Sequence, residues 1–579
     1  MDPAAASVER PAPDVPTAAR WFERAAAPQF AIPLLTLLCL AAFFVNLGGY
    51  PLYTHGETRE AVSVLDMFKG HSIRSFLLPM RAGIEIPSKP LMMHWLIAAL
   101  SLISGGLSEW TIRLPSAILG ALGVLCCYLY VRRLFSASAG LLAALILATN
   151  FQYLQAAGGA RVDMTLTFFM EIAFFEFLLM AEGLTSRRML LYLALAFAVL
   201  SKGPVGVVLP GAVAALFIAT QRRWNLAGRL DLVKGALVVA VLAGGWYLAA
   251  LSIGGRAFFD KQILAENVFT FLHHHGMDPG HGHPFYYVEL ALLAGFLPWT
   301  LLLAPAAFRL AQRQTLSNPR VLYLMIWFAV VLVFYNFAAA KRGVYLLALY
   351  PALAAALGIY LAAEMAAPSA SRVTRVMSAA MGIFFATAGV GGLIAAGVIK
   401  LWPALARLPL AAFDIKAPRF VPELSAAIGG HGLLAIAIGA IAAAAGLVLM
   451  RTAASVPKLV SATAAGVACI SMVANLYVQP AIANTIGLKD YALEAAHIIG
   501  DGKAAYVFGL NYDIAFYSGL TIPVLAITPT QWPQYLILGE DTYQALGAHQ
   551  MRDYSPVLTS GPTDLDGTGE MVLVRRKSG

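Results

Sequence analysis

The sequence predicts a polytopic α-helical membrane protein with a small α/β domain at its C-terminal end. Hydrophobic residues make up 59% of the 579-residue chain and charged residues only 12%, whereas soluble proteins have about 45–50% and about 25%. Apolar runs of about 18 to 24 residues recur up to residue 480, and each is long enough to cross the hydrocarbon of a bilayer as a helix. These two observations exclude an ordinary soluble protein.

About thirteen of these runs are predicted to span the membrane. Their ranges are 29–50, 113–131, 138–156, 162–182, 189–201, 204–220, 235–253, 288–308, 321–338, 343–363, 376–399, 430–450 and 459–478. Residues 1–28 are rich in alanine and proline, lack the pattern of a cleaved signal peptide, and are predicted to be a cytoplasmic extension. The stretch Leu91–Ile103 is too short to cross and is predicted to be an interfacial or re-entrant helix.

Charges in the loops set the predicted orientation, because short cytoplasmic loops retain Lys and Arg. With the N-terminus inside, every predicted inner loop is basic, for example at Arg132-Arg133 and Arg187-Arg188. The net charge of +9 is therefore mostly a topology signal, and no nucleic-acid partner is expected. The membrane domain, residues 29–479, then exposes its loop 51–112 on the outer side, together with residues 480–579.

The last hundred residues alternate short apolar runs with turn residues, which is typical of a compact α/β domain. A helix is predicted around Leu493–Ile499. The apolar runs are Ala504–Phe508, Thr521–Ile527, Tyr535–Leu538 and Met571–Val574. All four cysteines fall inside predicted spans, at Cys39, Cys126, Cys127 and Cys469, and are predicted to be packing residues.

Several charged residues lie at helix ends that are predicted to face outwards. They are Lys89, Arg161, Asp163, Lys202 and the Lys341-Arg342 pair. Lysine in a short outer loop goes against the orientation rule, and charges at the membrane boundary are usually retained for a partner or a function. Snorkelling of the long side chains is the structural alternative. The repetition favours a site for an anionic headgroup.

The outer loop 51–112 carries an acid directly after the first span. An amphipathic stretch from Glu57 to Lys69 predicts a helix that holds this carboxylate at the membrane surface. Alternatively, Glu57 pairs locally with Arg59 or caps the helix.

A histidine-rich segment lies in the outer loop 254–287. His273, His275, His281 and His283 are candidate ligands of a divalent metal. Their spacing matches no closed zinc motif, and histidines in a glycine-rich loop equally suit hydrogen bonding to a substrate. No cofactor is therefore required by the sequence, although a metal stays open.

Several short segments of the predicted outer connections occur in a fixed order. They are Gly56-Glu57-Thr58-Arg59, Lys89-Pro90-Leu91, Arg113-Leu114-Pro115, Ala160-Arg161-Val162-Asp163, Ser201-Lys202-Gly203-Pro204, Glu266-Asn267, His283-Pro284-Phe285-Tyr286-Tyr287, Pro298-Trp299 and Lys341-Arg342 with Tyr345 to Pro351. In this order they resemble the bacterial GT-C membrane glycosyltransferases. They are similar to the 4-amino-4-deoxy-L-arabinose transferases that modify the lipid A of lipopolysaccharide and, more distantly, to the protein O-mannosyltransferases.

The resemblance implies about thirteen transmembrane helices in the bacterial inner membrane, periplasmic juxtamembrane helices, a periplasmic C-terminal domain and a sugar donor linked to undecaprenyl phosphate or another polyprenyl phosphate. It also implies that an acid in the first loop is central to catalysis. Relatives often have Asp-Glu where this chain has Gly56-Glu57, and Glu directly before Lys-Pro where it has Ser88. A neutral or acidic sugar is thus as well expected as an amino sugar.

Each residue type has a predicted role in sugar transfer. Cations stabilise the charge that grows on the donor phosphate as the glycosidic bond breaks; the candidates are Lys89, Arg161, Lys202, Lys341 and Arg342. A carboxylate removes the acceptor proton, with Glu57 first and Asp163 second. The predicted sugar pocket contains Arg59, Glu85, Glu266, His283, Tyr286 and Tyr345, whereas Trp299 is expected to anchor at the interface.

The predicted function is transfer of a sugar, with inversion, to lipid A or another envelope glycolipid. The alternatives are a protein O-glycosyltransferase of the same class and a transporter or flippase of lipid-linked sugars. Transporter sites usually lie near the bilayer midplane in related repeats, and the sequence has no evident repeat. Glu171 and Glu176, the main charges inside spans, are predicted to lie toward the cytoplasmic half and to pair structurally.

Overall fold

The computed structural model describes residues 17–269, 283–367, 455–507, 509–525, 532–563 and 569–577, with parts of 375–390 and 437–448. Its first nineteen helices are α1 (Thr17–Ala25), α2 (Pro28–Cys39), α3 (His55–Lys69), α4 (Ile73–Leu77), α5 (Met92–Ser104), α6 (Glu109–Leu134), α7 (Ala137–Ala148), α8 (Phe151–Gly158), α9 (Val162–Ala181), α10 (Arg188–Lys202), α11 (Val205–Gln221), α12 (Asn225–Arg229), α13 (Leu232–Val239), α14 (Gly245–Phe258), α15 (Tyr287–Gly295), α16 (Leu303–Leu310), α17 (Arg313–Leu316), α18 (Pro319–Phe337) and α19 (Tyr350–Ala366). After residue 455 follow α20 (Val456–Val473), α21 (Gln479–Ile486), α22 (Lys489–Ile499), α23 (Tyr512–Ser518) and α24 (Glu540–Gln550).

Short segments of other helix types join several of these. π-helical segments occur at Leu40–Phe44, Ala240–Gly244, Phe259–Phe269 and Ala474–Val478, and 3₁₀ segments at Trp299–Leu302 and Gly343–Leu349. Within the described residues, six apolar helices are long enough to cross a membrane, or up to eight if each of two bent pairs is one span. A polytopic helical membrane protein is thus confirmed. The number thirteen stays a prediction, and the spans 376–399 and 430–450 lie largely outside the described residues.

Two of the predicted spans are sharply bent rather than continuous. The run 138–156 divides into α7 and α8 at an angle of 64°, and 288–308 divides after α15 at 105°. Asn150 starts α8 as its N-cap, with its side chain accepting a hydrogen bond from the Tyr153 amide. Pro298, which has no amide hydrogen, lies at the second break. The short apolar helix predicted at 91–103 is present as α5.

Several large aromatic side chains are buried in the helical core. Trp299 is fully buried, and its indole nitrogen lies 3.0 Å from the Thr149 hydroxyl. The prediction that Trp299 anchors at the interface is therefore wrong, because the bend before it turns the ring inward. Glu176 pairs with Arg187, whereas neither carboxyl oxygen of the buried Glu171 has a hydrogen-bond partner in the described residues.

The C-terminal residues form a four-stranded sheet against α22 and α23. Its strands are β1 (Ala504–Tyr506), β2 (Tyr535–Gly539), β3 (Tyr554–Thr559) and β4 (Met571–Arg576), in the order β1-β2-β4-β3. Only β1 and β2 are parallel. The α/β prediction agrees with this unit, but the predicted run at Thr521 contributes a single bridge, Tyr506 to Val524, and β3 was not predicted.

The C-terminal unit packs on the loop 51–112. Lys489 of α22 forms an ion pair with Glu109 at 2.7 Å, and the Tyr517 hydroxyl of α23 accepts from the Leu52 amide at 2.6 Å. Helix α23 also packs directly on α3, where Val62 lies in one apolar cluster with Tyr512 and Ala515.

Candidate active site

Glu57 lies buried in the first turn of α3, in an ion pair with Arg113 of α6. Arg113 Nε is 2.8 Å from Glu57 Oε1, and Arg113 Nη2 is 3.3 Å from Oε2. The Thr54 hydroxyl and the Ala160 amide donate to the same two oxygens, at 3.1 and 3.2 Å. Since a carboxylate has about four lone-pair sites, protein donors occupy Glu57 completely.

All five N–H donors of Arg113 are satisfied, two of them by Glu57. Its remaining three go to backbone carbonyls, each at 3.0 Å, of Leu47, Tyr50 and Pro51. Burial by itself would raise the pKa of Glu57, but Arg113, Arg161 and the Ala160 amide hold that pKa below its ordinary value. A saturated carboxylate with a low pKa is a poor proton acceptor. The geometry therefore favours a structural role for Glu57 over the predicted role as the base.

Asp163, the second predicted acid, is more accessible. It lies in the first turn of α9 and forms an ion pair with Lys202 at the end of α10. The Asp163 side chain is 15% exposed, compared with 4% for Glu57. Lys202 Nζ also lies 3.7 Å from the centre of the Tyr345 ring, a cation–π distance.

A second ion pair faces the same tyrosine. Lys89 Nζ is 2.6 Å from Glu266 Oε2, and the two side chains are 19% and 20% exposed. Tyr345 lies within electrostatic reach of Asp163, Lys89, Arg342 and Glu266. The fold thus brings five predicted residues close to the ring of Tyr345: Lys89, Asp163, Lys202, Glu266 and Arg342. Lys89 and Tyr345 are 256 positions apart in the sequence.

Arg161 and Arg342 line a neighbouring cavity of about 350 Å³. Gln152, Gln155 and Tyr287 are also in its wall. Within the described residues Arg161 has no ion-pair partner, and a Cβ added at Gly56 would lie 3.2 Å from its Nη1. The predicted phosphate cations are therefore divided between the Tyr345 ring and this cavity.

Two other predicted residues are committed to protein partners. Lys341 is buried, and its Nζ donates to the Ala338 carbonyl at 2.9 Å, so its geometry does not favour phosphate binding. Glu85 lies at the contact with the C-terminal unit, 3.4 Å from Lys261 and hydrogen-bonded by the Tyr512 hydroxyl. Neither faces the Tyr345 ring through a recorded contact.

The histidine segment lies mostly outside the described residues, including His273, His275 and His281. His283 stacks on Tyr287 with ring centres 4.0 Å apart, and Tyr286 is exposed. Among the described residues no group of three potential metal ligands is found. The metal hypothesis stays a prediction.

A buried network around Glu60 was missed by the sequence analysis. Arg59 Nη2 is 2.8 Å from Glu60 Oε1, and His94 Nε2 and Arg81 Nη2 lie 2.6 and 3.6 Å from Oε2. Burial opposes ionisation, yet Arg59, His94 and Arg81 hold the pKa of Glu60 well below its usual range. Arg59 therefore pairs with its sequence neighbour, and the alternative in which it pairs with Glu57 is wrong.

Comparison with known proteins gives relatives for both sequence and fold. The profile of the family described as dolichyl-phosphate-mannose-protein mannosyltransferase matches residues 88–248. The undecaprenyl phosphate-alpha-4-amino-4-deoxy-L-arabinose arabinosyl transferase of Pseudomonas aeruginosa (strain UCBPP-PA14) is 29% identical over 323 residues, 54% of this chain and 56% of that protein. The crystal structure of ArnT from Cupriavidus metallidurans bound to undecaprenyl phosphate superposes with a TM-score of 0.71 at 20% identity, covering 94% of this chain and 98% of ArnT.

This chain has the GT-C glycosyltransferase fold. An uncharacterized protein of Aquifex aeolicus is also similar, with 28% identity over 333 residues, 56% of this chain and 62% of that protein. These sequence matches span little more than half of the relatives' length, whereas the structural match to ArnT extends over nearly the whole GT-C chain.

The GT-C fold also brings a C-terminal acid to the first loop. Asp513 of α23 lies beside Thr58 and Glu57 on the side of α3 that faces the C-terminal unit, and burial together with the Glu57 charge raises the pKa of Asp513 to about 7. No spacing of neighbouring residues in the sequence indicates either this contact or the Glu57–Arg113 pair. The sequence analysis did not predict a second buried acid in α3, although the charges at 57–60 are a local signal that could have indicated it.

Proposed function

We propose that the protein is a multi-pass inner-membrane glycosyltransferase that moves a sugar from undecaprenyl phosphate, or a similar polyprenyl phosphate, to lipid A or another envelope glycolipid on the periplasmic side. One observation carries the proposal: the pairs Asp163–Lys202 and Lys89–Glu266 flank Tyr345. The names of the curated relatives and the lipid bound to ArnT support the donor class.

In the proposed step, the bond between the sugar C1 and the donor phosphate oxygen breaks, and its electron pair stays on the phosphate. The acceptor oxygen forms a new bond to C1 from the opposite face, which inverts that carbon. The proton of the acceptor hydroxyl passes to the Asp163 carboxylate. The lipid leaves as its phosphate monoester, with one more negative charge than the donor.

Lys89 and Lys202 stabilise the negative charge that grows on the departing phosphate. Lys89 and Lys202 are each held by a carboxylate before the donor binds, so their ammonium groups are oriented at little further entropic cost. When Lys202 turns toward the phosphate, the Asp163 oxygen that it contacted becomes free to accept the proton of the acceptor hydroxyl. Departure of the phosphate and deprotonation of the acceptor are thereby coupled through one side chain.

Mass spectrometry of envelope glycolipids tests the proposal. Cells with the active chain should contain a glycolipid heavier by one sugar, and this species should be absent from cells that lack the chain and from cells with Asp163→Asn at equal membrane abundance. An unchanged set of glycolipids and proteins would refute the transferase function. A sugar found only on envelope proteins would favour the second candidate, a protein O-glycosyltransferase, which the matched family description supports.

A transporter of lipid-linked sugars makes a different prediction. It would leave the donor chemically intact, whereas the proposed enzyme, purified in nanodiscs with envelope lipids, should release undecaprenyl phosphate from the donor. Release of the free lipid phosphate by the wild type but not by Asp163→Asn distinguishes the two classes.

A further inference from the structure

The carboxylates around Tyr345 and the cavity are already neutralised by cations of the protein. Asp163 is paired with Lys202, and Glu266 with Lys89. Glu57, which interacts electrostatically with the cavity residue Arg161, forms an ion pair with Arg113. Each acid that faces the proposed sugar site within the described residues thus has a lysine or arginine in direct contact.

Two further acids nearby have no recorded cation, and neither is directed to the cavity. Asp513 lies beside Thr58 on the opposite side of α3 from Gly56, because positions two apart on a helix differ by about 200°. By the same spacing, Glu289 is on the other face of α15 from the cavity residues Tyr287 and Ala291, and it accepts a hydrogen bond from Asn336 at 2.6 Å.

The cavity itself has a positive side chain that forms no ion pair with a described residue. Arg161 lies in its wall next to Arg342 and has no ion pair with any described carboxylate. A Cβ added at Gly56 would lie 3.2 Å from Arg161 Nη1, but glycine has no side chain that could pair with this guanidinium. The electrostatic environment of a sugar bound between the cavity and Tyr345 is therefore positive.

An ammonium group on the sugar would be disfavoured in this environment. It would have to displace a lysine from Asp163 or Glu266, or remain near Arg161 without a counterion. A like charge a few ångströms away at a partly buried site weakens binding by about tenfold or more. Hydroxyl groups carry no such cost, and Gln152 and Gln155 offer both donors and acceptors to them.

We propose that the sugar transferred by this protein carries no cationic group, so that the chain differs in donor specificity from the relatives named for 4-amino-4-deoxy-L-arabinose. This inference rests on the proposed function and deepens it. Its physical basis is that the site carboxylates are already paired with lysine or arginine, whereas Arg161, beside Gly56, has no ion-pair partner among the described residues.

Two matched donors test it: undecaprenyl phosphate linked to L-arabinose and to 4-amino-4-deoxy-L-arabinose, which differ only in a hydroxyl or an amino group at one carbon. Each is titrated against radiolabelled undecaprenyl phosphate bound to the full chain in nanodiscs at pH 7. The neutral donor should compete at least about tenfold more strongly. Equal competition, or preference for the amino sugar, would overturn the inference.

Gly56→Asp tests the assigned cause. Its carboxylate would meet the flexible end of Arg161, and aspartate is well tolerated in the first turn of a helix, so the variant should fold. The preference for the neutral donor should shrink to about threefold or less, because the local charge is cancelled. Gly106→Asp makes the same change where a Cβ meets no atom within 4 Å, and it should keep the wild-type preference.

The outcomes separate the two levels of proposal. If radiolabelled undecaprenyl phosphate does not bind the wild type at all, the proposed function fails. If it binds but the two donors compete equally, only the inference about the sugar fails. If the preference exists and Gly56→Asp leaves it unchanged, the electrostatic assignment to Arg161 is overturned.

Discussion

Replacing Glu57 with glutamine decides whether this residue is a structural ion or a catalytic base. The substitution keeps the shape of the side chain but removes its charge, and it turns one acceptor oxygen into an NH₂ group. That group would face N–H donors, since the Thr54 hydroxyl, the Ala160 amide and two nitrogens of Arg113 all point at Glu57. Arg113, which is fully buried, would then lack a counterion.

The expected effect is therefore on stability. Removing one partner of a buried ion pair costs about 3–5 kcal/mol, because the remaining charge stays desolvated. Here the loss also includes unsatisfied donors on both sides, which places Glu57→Gln toward the upper end of that range. The entry of the first span into α3 should loosen, since Arg113 also holds the three carbonyls that precede it.

Thermal unfolding of the purified protein in detergent, followed by intrinsic fluorescence, measures this directly. Glu57→Gln should unfold several degrees below the wild type, with Glu494→Gln, an exposed change on α22, as the charge-matched control. Asp163→Asn should lose sugar transfer with a much smaller change in unfolding temperature. If Glu57→Gln kept the wild-type unfolding temperature while transfer disappeared, the structural assignment would be refuted and Glu57 would be the base.

Three further predictions concern other parts of the site. Lys202→Met should weaken binding of radiolabelled undecaprenyl phosphate by about tenfold, as expected for the loss of one charge-assisted contact of about 1.5 kcal/mol; unchanged binding would remove Lys202 from the phosphate site. Asp513→Asn should stabilise the protein above pH 7 but not at pH 4, because a carboxyl whose pKa rises from 3.8 to about 7 on folding becomes progressively destabilising between those values; equal unfolding temperatures of the two proteins at pH 8 would contradict this. Exhaustive chelation followed by dialysis should leave sugar transfer unchanged; loss of transfer that only an added divalent metal reverses would support the histidine-metal hypothesis.

Local pattern was sufficient for the class of the protein and for part of its helices. Hydrophobic runs are contiguous in sequence, so α6, α9, α18 and α19 were expected close to where they lie. Bends were not, because the cap at Asn150 and the break at Pro298 interrupt runs that hydropathy reads as continuous. In the C-terminal unit, only the first residue of β3 is buried, and Ser555, Pro556 and Thr559 interrupt its apolar pattern, which leaves little alternation to recognise.

The sequence by itself determined that charges collect at helix ends, since loop composition and motif order are properties of neighbouring residues. It identified Asp163, Lys89, Lys202 and Tyr345 as site residues but gave no information on which of them are in contact. Only the tertiary structure decided which partner each charge takes. Glu57 meets Arg113 across 56 positions, and Lys89 meets Glu266 across 177. An ion pair depends on how helices pack, and packing brings together residues whose separation along the chain carries no information about their distance in space.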